Sequence, residues 1–470
     1  MSEKQLSYGV IALVALLGLG PIAYMVGTTF FDSSGFTVSG YVRLLEDVVF
    51  WKHAANSLVL ALTVASTATI SGLLLALLLS KTHLYMRYLF LLLLLVPLLI
   101  PPYILAYGWY ALLGRDGLLG ELLFGFWGSA FVLFSVYLPI PLFITALFLR
   151  KVDAGLEEAG LLVCNWRCVL RGITVPLLVP SLGLSFLLVF ILSISELSVP
   201  QFLHYDTFVI ESFIQFSAFY DFKTATVYAM PLVIMVFAVL WGMKGVLSKT
   251  RYHVSSHKEM LMIPLEKMHP VLFFGVVLFV AVIVGLPLAG LVEQSTFSSF
   301  THAMTEALPV ISNTLIYGAM GATLLTLFGF LSAYVIAYRT TRLWLLFEKS
   351  ILLMFMLSST VIGIGLILFW NHPETNIVYA TAVIILIGYL VKYLLLTTEI
   401  SALSLRQIPT SFIESAQLSG ASWSQRLLLI ILPLAKESLL LAWGVGFIFV
   451  LRESTITTVS YTHLTLPTKA

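Results

Sequence analysis

Long apolar runs recur along the whole chain and are separated by shorter polar or charged stretches. A helix needs about 20 apolar residues to cross the hydrocarbon core of a membrane, and these runs reach that length. The pattern therefore predicts a series of membrane-spanning helices. The eleven predicted spans lie near residues 8–27, 57–80, 88–112, 127–149, 176–197, 226–247, 270–291, 313–338, 350–370, 377–398 and 433–453.

The composition is typical of an all-α polytopic membrane protein. Hydrophobic residues make up 60% of the 470 residues, charged residues make up 10%, and the mean hydropathy is +1.02, whereas soluble chains carry about 25% charged residues. A formal net charge of +2 provides no basic surface for nucleic acid. The nine histidines show no metal-ligand spacing, so no metal site is predicted. Cys164 and Cys168 are expected to be reduced thiols on a cytosolic loop.

The distribution of basic residues predicts which side of the membrane each loop faces. With the N-terminus inside, most of the 25 Lys and Arg residues fall in cytoplasmic loops. The outside loops keep only Arg43, Lys52, Arg115 and Lys223. Because cytoplasmic loops carry the excess of basic residues in membrane proteins, we expect a multi-pass protein with a cytoplasmic N-terminus.

Identical residues recur at a constant spacing of 257 positions between the two halves of the chain. The pairs include Asn56 with Asn313, Gly72 with Gly329, Gly108 with Gly365, Glu157 with Glu414, Trp166 with Trp423, Pro176 with Pro433 and Glu196 with Glu453. This register predicts a tandem duplication of a six-helix unit, with residues 1–255 and 256–470 as the two copies. Since each full unit has an even number of spans, the copies share one orientation about an axis along the membrane normal. The linker, Met243–His269, is expected in the cytoplasm.

Each copy has its most distinctive stretch between its fourth and fifth spans, near residues 150–176 and 406–433. These loops are amphipathic and mostly uncharged, so their apolar side chains must pack on the membrane domain or on another protein. The residues singled out are Glu157, Ala159, Val163 and Pro176 in the first loop, and Glu414, Ala416, Gly420 and Pro433 in the second. A chance Glu and Pro in ordinary helical hairpin loops would be the alternative, and the recurrence at one spacing argues against it.

The second loop resembles the glutamate-alanine-alanine loop of ATP-binding-cassette (ABC) importer permeases, because Gly420 lies four residues after Ala416 and Leu432-Pro433 closes the motif. The resemblance covers nearly the whole chain and is greatest to permeases of ferric iron and thiamine that fuse two units. It implies a bacterial inner-membrane permease whose partners are two cytoplasmic ABC ATPase subunits, an external solute-binding protein and membrane lipid. In this family, each loop forms a short helix that docks in a groove of an ATPase.

The residue types in the loops agree with that role. A small alanine face permits close docking, a glutamate can pair with a basic residue of the groove, and glycine allows a turn with positive φ. Proline suits the first turn of the span that follows. Val163 stands where the first copy should have glycine, so this loop is expected to turn differently, with Gly160 as an alternative position for the break.

Three charged residues near the far ends of the fifth and eleventh spans are candidates for a solute pathway: Glu196, Arg452 and Glu453. Solvated helix ends are the alternative for the two glutamates, and Arg452 could face an anion or form a local ion pair. Lys392 lies inside the tenth span. We expect its ammonium group to extend to the nearby interface, as long basic side chains do near helix ends.

The chain contains no G-x-x-x-x-G-K-[ST] phosphate loop and no nucleophile-and-base arrangement. It is therefore predicted to be a transport subunit without an ATPase site or cofactor of its own. The rival hypothesis is an ion-coupled secondary transporter with six-plus-six helices, which usually needs intramembrane ionisable groups. Ferric iron is the favoured solute, and thiamine, polyamines and phosphonates stay open.

The second copy has five spans where the first has six, so we expect about 11 spans of a full set of 12. The family resemblance also fades after about Val459, and residues 460–470 are expected to be non-native. A genuine eleven-span protein is the alternative.

Overall fold

The computed structural model describes residues 3–32, 35–114, 118–247, 260–265, 268–294 and 297–464. These residues are almost entirely helical, which confirms the predicted all-α fold class. One short hairpin pairs β1 (Phe31–Asp32) with β2 (Gly35–Phe36). Arg115 and most of the predicted linker lie outside the described residues.

Helices of the first part of the chain extend from α1 to α12. Their bounds are α1 (Glu3–Thr29), α2 (Ser39–Glu46), α3 (Val48–Ser80), α4 (Arg87–Leu99), α5 (Pro102–Leu113), α6 (Leu118–Leu123), α7 (Phe126–Leu149), α8 (Ala154–Leu161), α9 (Trp166–Ile194), α10 (Ser198–Phe202), α11 (Phe208–Ser217) and α12 (Phe222–Leu247).

Helices of the second part extend from α13 to α21. Their bounds are α13 (His269–Glu293), α14 (Phe297–Tyr338), α15 (Trp344–Met356), α16 (Ser359–Trp370), α17 (Asn376–Tyr379), α18 (Val383–Leu405), α19 (Thr410–Leu418), α20 (Trp423–Arg452) and α21 (Thr455–Leu464).

The predicted spans correspond to long apolar helices. Among the described residues, nine helices are long and apolar enough to cross a membrane, or up to eleven if each of two bent pairs is one span. The bent pairs are α4 with α5, at 101°, and α15 with α16, at 109°. Pro101 and Pro102 interrupt the first pair, and the side chain of Ser358 caps the start of α16 in the second. The sequence predicted each pair as one uninterrupted helix, so the bends were missed.

The spacing of 257 recurs in the bounds of the helices. The ranges of α15 and α16 equal those of α4 and α5 shifted by this number. Even the π-helical segments correspond, because Leu170–Thr174 within α9 matches Leu427–Ile431 within α20. This agreement at the level of elements supports the duplication predicted from the sequence.

The chain forms two compact units whose segments interleave along the sequence. Unit 1 comprises Met1–Glu46, Glu211–Met230 and Thr301–Ala470, and unit 2 comprises Asp47–Ile210 and Pro231–Phe300. Unit 1 therefore combines the first span of copy one with most of copy two, and unit 2 combines most of copy one with the first span of copy two. The division into permease units at residue 255 stays a prediction about the duplication.

Glycines repeated between the copies mark the helix crossings that build each unit. In unit 2, a Cβ atom at Gly108 of α5 would collide with the carbonyl oxygen of Pro287 in α13. In unit 1, the equivalent Gly365 of α16 lies close to Pro21 of α1, where a Cβ atom would be 3.4 Å from the carbonyl oxygen. Small residues allow such close backbone approach between membrane helices.

Lys392 does not extend to the interface, so that prediction is wrong. The side chain is buried in α18 of unit 1. Its Nζ donates hydrogen bonds to the carbonyl oxygens of Leu357 (2.6 Å) and Phe355 (3.3 Å), where the bend between α15 and α16 breaks the helical hydrogen bonding. The ammonium group thus satisfies backbone acceptors that the bend leaves free, as an apolar environment requires.

Candidate coupling site

The first loop forms a short helix because its sequence supplies caps at the required places. The Asp153 side chain accepts a hydrogen bond from the Gly155 amide (2.8 Å) and starts α8. The Asn165 side chain accepts one from the Cys168 amide (3.1 Å) and starts α9. Such N-caps satisfy amides that have no partner within the helix.

Glu157 of α8 faces the interior of unit 2. Its side chain is 1% exposed and forms an ion pair with Lys81 Nζ, whose distances to Oε1 and Oε2 are 2.5 and 2.6 Å. The Thr174 hydroxyl donates a second hydrogen bond to Oε1, at 2.6 Å. The sequence predicted that Glu157 contacts an ATPase partner. In the structure its carboxylate is bound within unit 2 instead, and its role in coupling stays a prediction.

Lys81 holds the first loop against the end of α3 through non-covalent contacts. It follows the last residue of α3 and is fully buried. Its side chain binds the loop helix, and its backbone carbonyl oxygen accepts a hydrogen bond from the Ile263 amide (2.8 Å) in the segment before α13. In the sequence, Lys81 is only one of the basic residues that favour a cytoplasmic loop, because nothing in the local pattern points to a carboxylate 76 residues away.

The second loop has the same helices but a different turn. α19 ends in a Schellman motif, in which the Ala421 amide donates to the Ala416 carbonyl oxygen and the Gly420 amide donates to that of Gln417, both at 3.0 Å. Gly420 has φ +81°, which confirms the predicted left-handed conformation. A capping box between Ser422 and Gln425 then starts α20.

Glu414 is exposed on α19, in contrast to its buried counterpart. The positions equivalent to Lys81 and Thr174 are occupied by Tyr338 and Ile431, neither of which can supply a cation. Glu414 itself has no ion pair among the described residues. Glu414 thus projects from the second loop as an unneutralised charge.

The second loop is attached to unit 1 through aromatic residues. The Trp423 indole donates a hydrogen bond to the Tyr334 hydroxyl (2.8 Å), which in turn donates to Glu3 Oε1 (2.8 Å). Ile413 of α19 and Trp423 also pack on a core formed by α14, α18 and α20. In the sequence, Trp423 stands out as a repeated residue, whereas no pattern points to Tyr334 or Glu3.

The first loop turns without a residue in the left-handed conformation, as its missing glycine predicted. Val163 is absent from the residues with positive φ. Gly160 is not the break, because it packs against Ile173 and Val169 of α9. The structure joins Cys164 to Cys168 by a disulfide, so the expectation of reduced thiols is wrong. Their Cα atoms lie 6.0 Å apart across the start of α9, within the reach of such a bond.

The turn at Gly420 leads to a testable difference between the loops. Gly420→Val forces a β-branched residue into a region that costs about 1–3 kcal/mol for residues other than glycine. We expect this change to weaken ATPase stimulation several-fold, with Gly420→Asn closer to the unaltered protein. Val163→Gly is the matched control and should leave stimulation unchanged. A loss from Val163→Gly as large as that from Gly420→Val would contradict the role of the turn.

Both loop helices expose apolar side chains. Leu162 and Val163 are each 89% exposed at the end of α8, and Leu418 is 89% exposed at the end of α19. Ala159 is exposed and Ala416 is half-buried. Apolar side chains clustered at a helix end favour contact with a protein partner.

Pro176 and Pro433 lie inside continuous helices rather than at the first turn of a span. α9 begins ten residues before Pro176, at Trp166, and α20 begins ten residues before Pro433, at Trp423. A π-helical segment ends two residues before each proline, and such segments adjust the helical hydrogen bonding locally. The helices that contain these two predicted spans therefore begin at the tryptophans.

The candidate pathway residues lie at the opposite ends of α9 and α20 from the loops. Glu196 accepts hydrogen bonds from the Tyr137 hydroxyl (3.0 Å) and the Ser198 amide (3.1 Å). Glu453 accepts hydrogen bonds from two hydroxyl groups and an amide, and both carboxylates are half-buried. Neither is a freely solvated helix end.

Arg452 is buried. The described residues contain no group of three or more His, Cys, Asp or Glu side chains that could hold a metal.

Comparison with known proteins gives one family match and several relatives. Residues 325–461 match the family described as binding-protein-dependent transport system inner membrane component. A protein of Haemophilus influenzae named as a ferric transport system permease protein is 26% identical over 474 residues, which cover 93% of this chain and 75% of the relative. The ferric transport system permease protein of Actinobacillus pleuropneumoniae is 26% identical over 473 residues, covering 93% and 69%. These findings confirm the resemblance to ABC importer permeases.

Proposed function

Starting from this resemblance, we propose that the chain is the permease subunit of an ATP-driven importer of ferric iron. Two cytoplasmic ATPase subunits would bind at the loops that contain α8 and α19, and an external binding protein would deliver the solute to the other side. The observation that carries the proposal is the pair of loop helices, which occupy equivalent places in the two copies and expose apolar side chains. The names of the two relatives support ferric iron as the solute.

The two loops would respond differently to their ATPases. α8 is joined to the end of α3 by the buried ion pair of Lys81 and Glu157, so a displacement of α8 must move α3 or break that pair. α19 is held by packing of Ile413 and by the hydrogen bond that the Arg426 guanidinium donates to Gln417 (3.1 Å), and the indole hydrogen bond of Trp423 fixes the start of α20 that follows. We therefore expect the first loop to transmit movement rigidly and the second to dock chiefly through its exposed surface.

Reconstitution in liposomes tests the proposal. The purified permease alone should show no ATP hydrolysis, and addition of its cognate ATPase and binding protein should produce hydrolysis and uptake of ferric iron. Thiamine, supplied through the same binding protein, serves as the competing solute. Uptake driven by a proton or sodium gradient with the permease alone would favour the secondary transporter and overturn the importer proposal.

A protease-protection experiment tests the proposed orientation. The loops that contain α8 and α19 and the N-terminus should all be cleaved from the cytoplasmic side of membrane vesicles. Cleavage of the two loops from opposite sides would contradict the shared orientation of the copies.

A further inference from the structure

The end of α20 opposite its loop carries a buried cation, two of whose nitrogen atoms have no hydrogen-bond partner among the described residues. Arg452 is the last residue of α20 and is 8% exposed. Its Nε and Nη1 atoms are buried and have no hydrogen-bond partner among the described residues. The guanidinium carbon lies 5.5 Å from the ring centroid of Phe449, one turn earlier in the helix. The ring covers the cation but accepts no conventional hydrogen bond from it.

The adjacent carboxylate does not neutralise this cation. Glu453 Oε2 accepts hydrogen bonds from the hydroxyl groups of Tyr393 (2.5 Å) and Ser359 (2.9 Å), and Oε1 accepts one from the Ile456 amide (3.0 Å). The backbone becomes extended at Glu453, with φ −81° and ψ 99°, so α20 ends there. Glu453 is thus bound in a network that includes the start of α21, and it forms no ion pair with Arg452.

The fold itself does not require an arginine at this place. The equivalent residue of the first copy is Ser195, whose hydroxyl donates a hydrogen bond to the Ile191 carbonyl oxygen (2.8 Å) of its own helix. Both helices end next to an equivalent glutamate, and only the second carries the cation. Because an unpaired buried charge is strongly unfavourable, a ligand is the physical reason to retain one here.

We infer that Arg452 binds an oxyanion at the end of α20. The planar set of N–H donors of a guanidinium group matches the oxygen atoms of a carboxylate or phosphate group. Nε and Nη1 are the atoms with unused donors, so an oxyanion that reaches them completes their hydrogen bonding and neutralises the charge. The aromatic face of Phe449 restricts the guanidinium from one side.

The consequence of this site for transport rests on the proposed function. If the chain imports ferric iron, Arg452 specifies the chemical form in which the iron passes the end of α20. A bare ferric ion would be repelled by Arg452, whereas a ferric ion accompanied by an oxyanion would not. The oxyanion could be a free inorganic ion such as phosphate or the carboxylate of an organic iron ligand such as citrate. Both have the oxygen chemistry that Arg452 recognises.

Anion binding to the purified full chain in lipid nanodiscs tests the site. Phosphate and citrate are titrated separately at constant ionic strength, with binding followed by equilibrium dialysis of labelled anion and by the unfolding temperature. We expect saturable binding of at least one anion. Affinity should fall about tenfold or more in Arg452→Gln and less in Arg452→Lys, which keeps the charge without the planar donors. Arg406→Gln removes an exposed guanidinium of the same unit and should change nothing.

Tighter binding of phosphate identifies a free inorganic ion as the source of the oxyanion, and tighter binding of citrate identifies an organic iron ligand. Absence of saturable binding of either anion to the unaltered protein overturns the inference, as does equal binding by Arg452→Gln. If Arg452→Gln fails to fold, Arg452→Lys and the unaltered chain still decide the question. The assay uses neither ATPase nor binding protein, so loss of iron uptake with intact anion binding would count against the proposed function alone.

Discussion

Glu157→Gln is expected to lower the stability of unit 2 strongly, because it breaks a buried ion pair. The substitution leaves the Lys81 ammonium group buried without a counter-charge, which typically costs about 3–5 kcal/mol. Both side chains are almost completely buried, so solvent gives little compensation. The expected result is a large fall in the unfolding temperature of the purified protein and a lower yield in the membrane.

A double substitution separates the ion pair from general disruption. Lys81→Met with Glu157→Leu removes both charges and should recover most of the lost stability, because apolar replacements of similar size are often tolerated where a buried pair stood. Glu158→Gln is the matched control, since Glu158 is the exposed neighbour on the same helix. If the double variant were as unstable as Glu157→Gln, the buried pair would not be the cause.

Glu414→Lys is expected to reduce ATPase stimulation and solute uptake by about tenfold or more at equal membrane abundance. Under the proposed function, the exposed carboxylate would be replaced by a cation that faces a basic groove of the ATPase, and charge reversal at such a contact costs roughly 1.5–3 kcal/mol. Because Glu414 is exposed, the unfolding temperature should change little. Stimulated ATP hydrolysis and iron uptake in liposomes provide the measurement.

Glu374→Lys is the matched control for this change, because it reverses an exposed charge on unit 1 that lies outside the predicted spans. Glu157→Lys is a poor comparison because it would bury two ammonium groups together. Unchanged stimulation by Glu414→Lys would remove Glu414 from the coupling contact and weaken the importer proposal.

The sequence predicted the helices well because the length of an apolar run is a local property. The bends between α4 and α5 and between α15 and α16 were missed, since both helices of each pair are equally apolar. Lys392 was misassigned for a related reason. Its acceptors, Leu357 and Phe355, come from another helix, and only the folded chain shows that the bend frees their carbonyl oxygens.

The positions of the loops could also be predicted, because the same residue types recur in both loops at a spacing of 257 positions. The left-handed Gly420 followed from residue type alone. The opposite exposures of Glu157 and Glu414 did not follow, since they depend on distant residues, Lys81 in one copy and Tyr338 in the other. A repeat aligned residue by residue would have shown that lysine is replaced by tyrosine, but not that its ammonium group reaches α8.

The interleaving of the two units affects the order in which the chain can mature during synthesis. α1 is made first, but its neighbour α16 begins about 330 residues after α1 ends. At translation rates of 5–20 residues per second, α1 must wait roughly 15–65 s in the membrane before that neighbour emerges. α5 likewise waits for α13, although for a shorter stretch of chain. The packing of α1 in unit 1 is therefore completed only after the residues of unit 2 have been made.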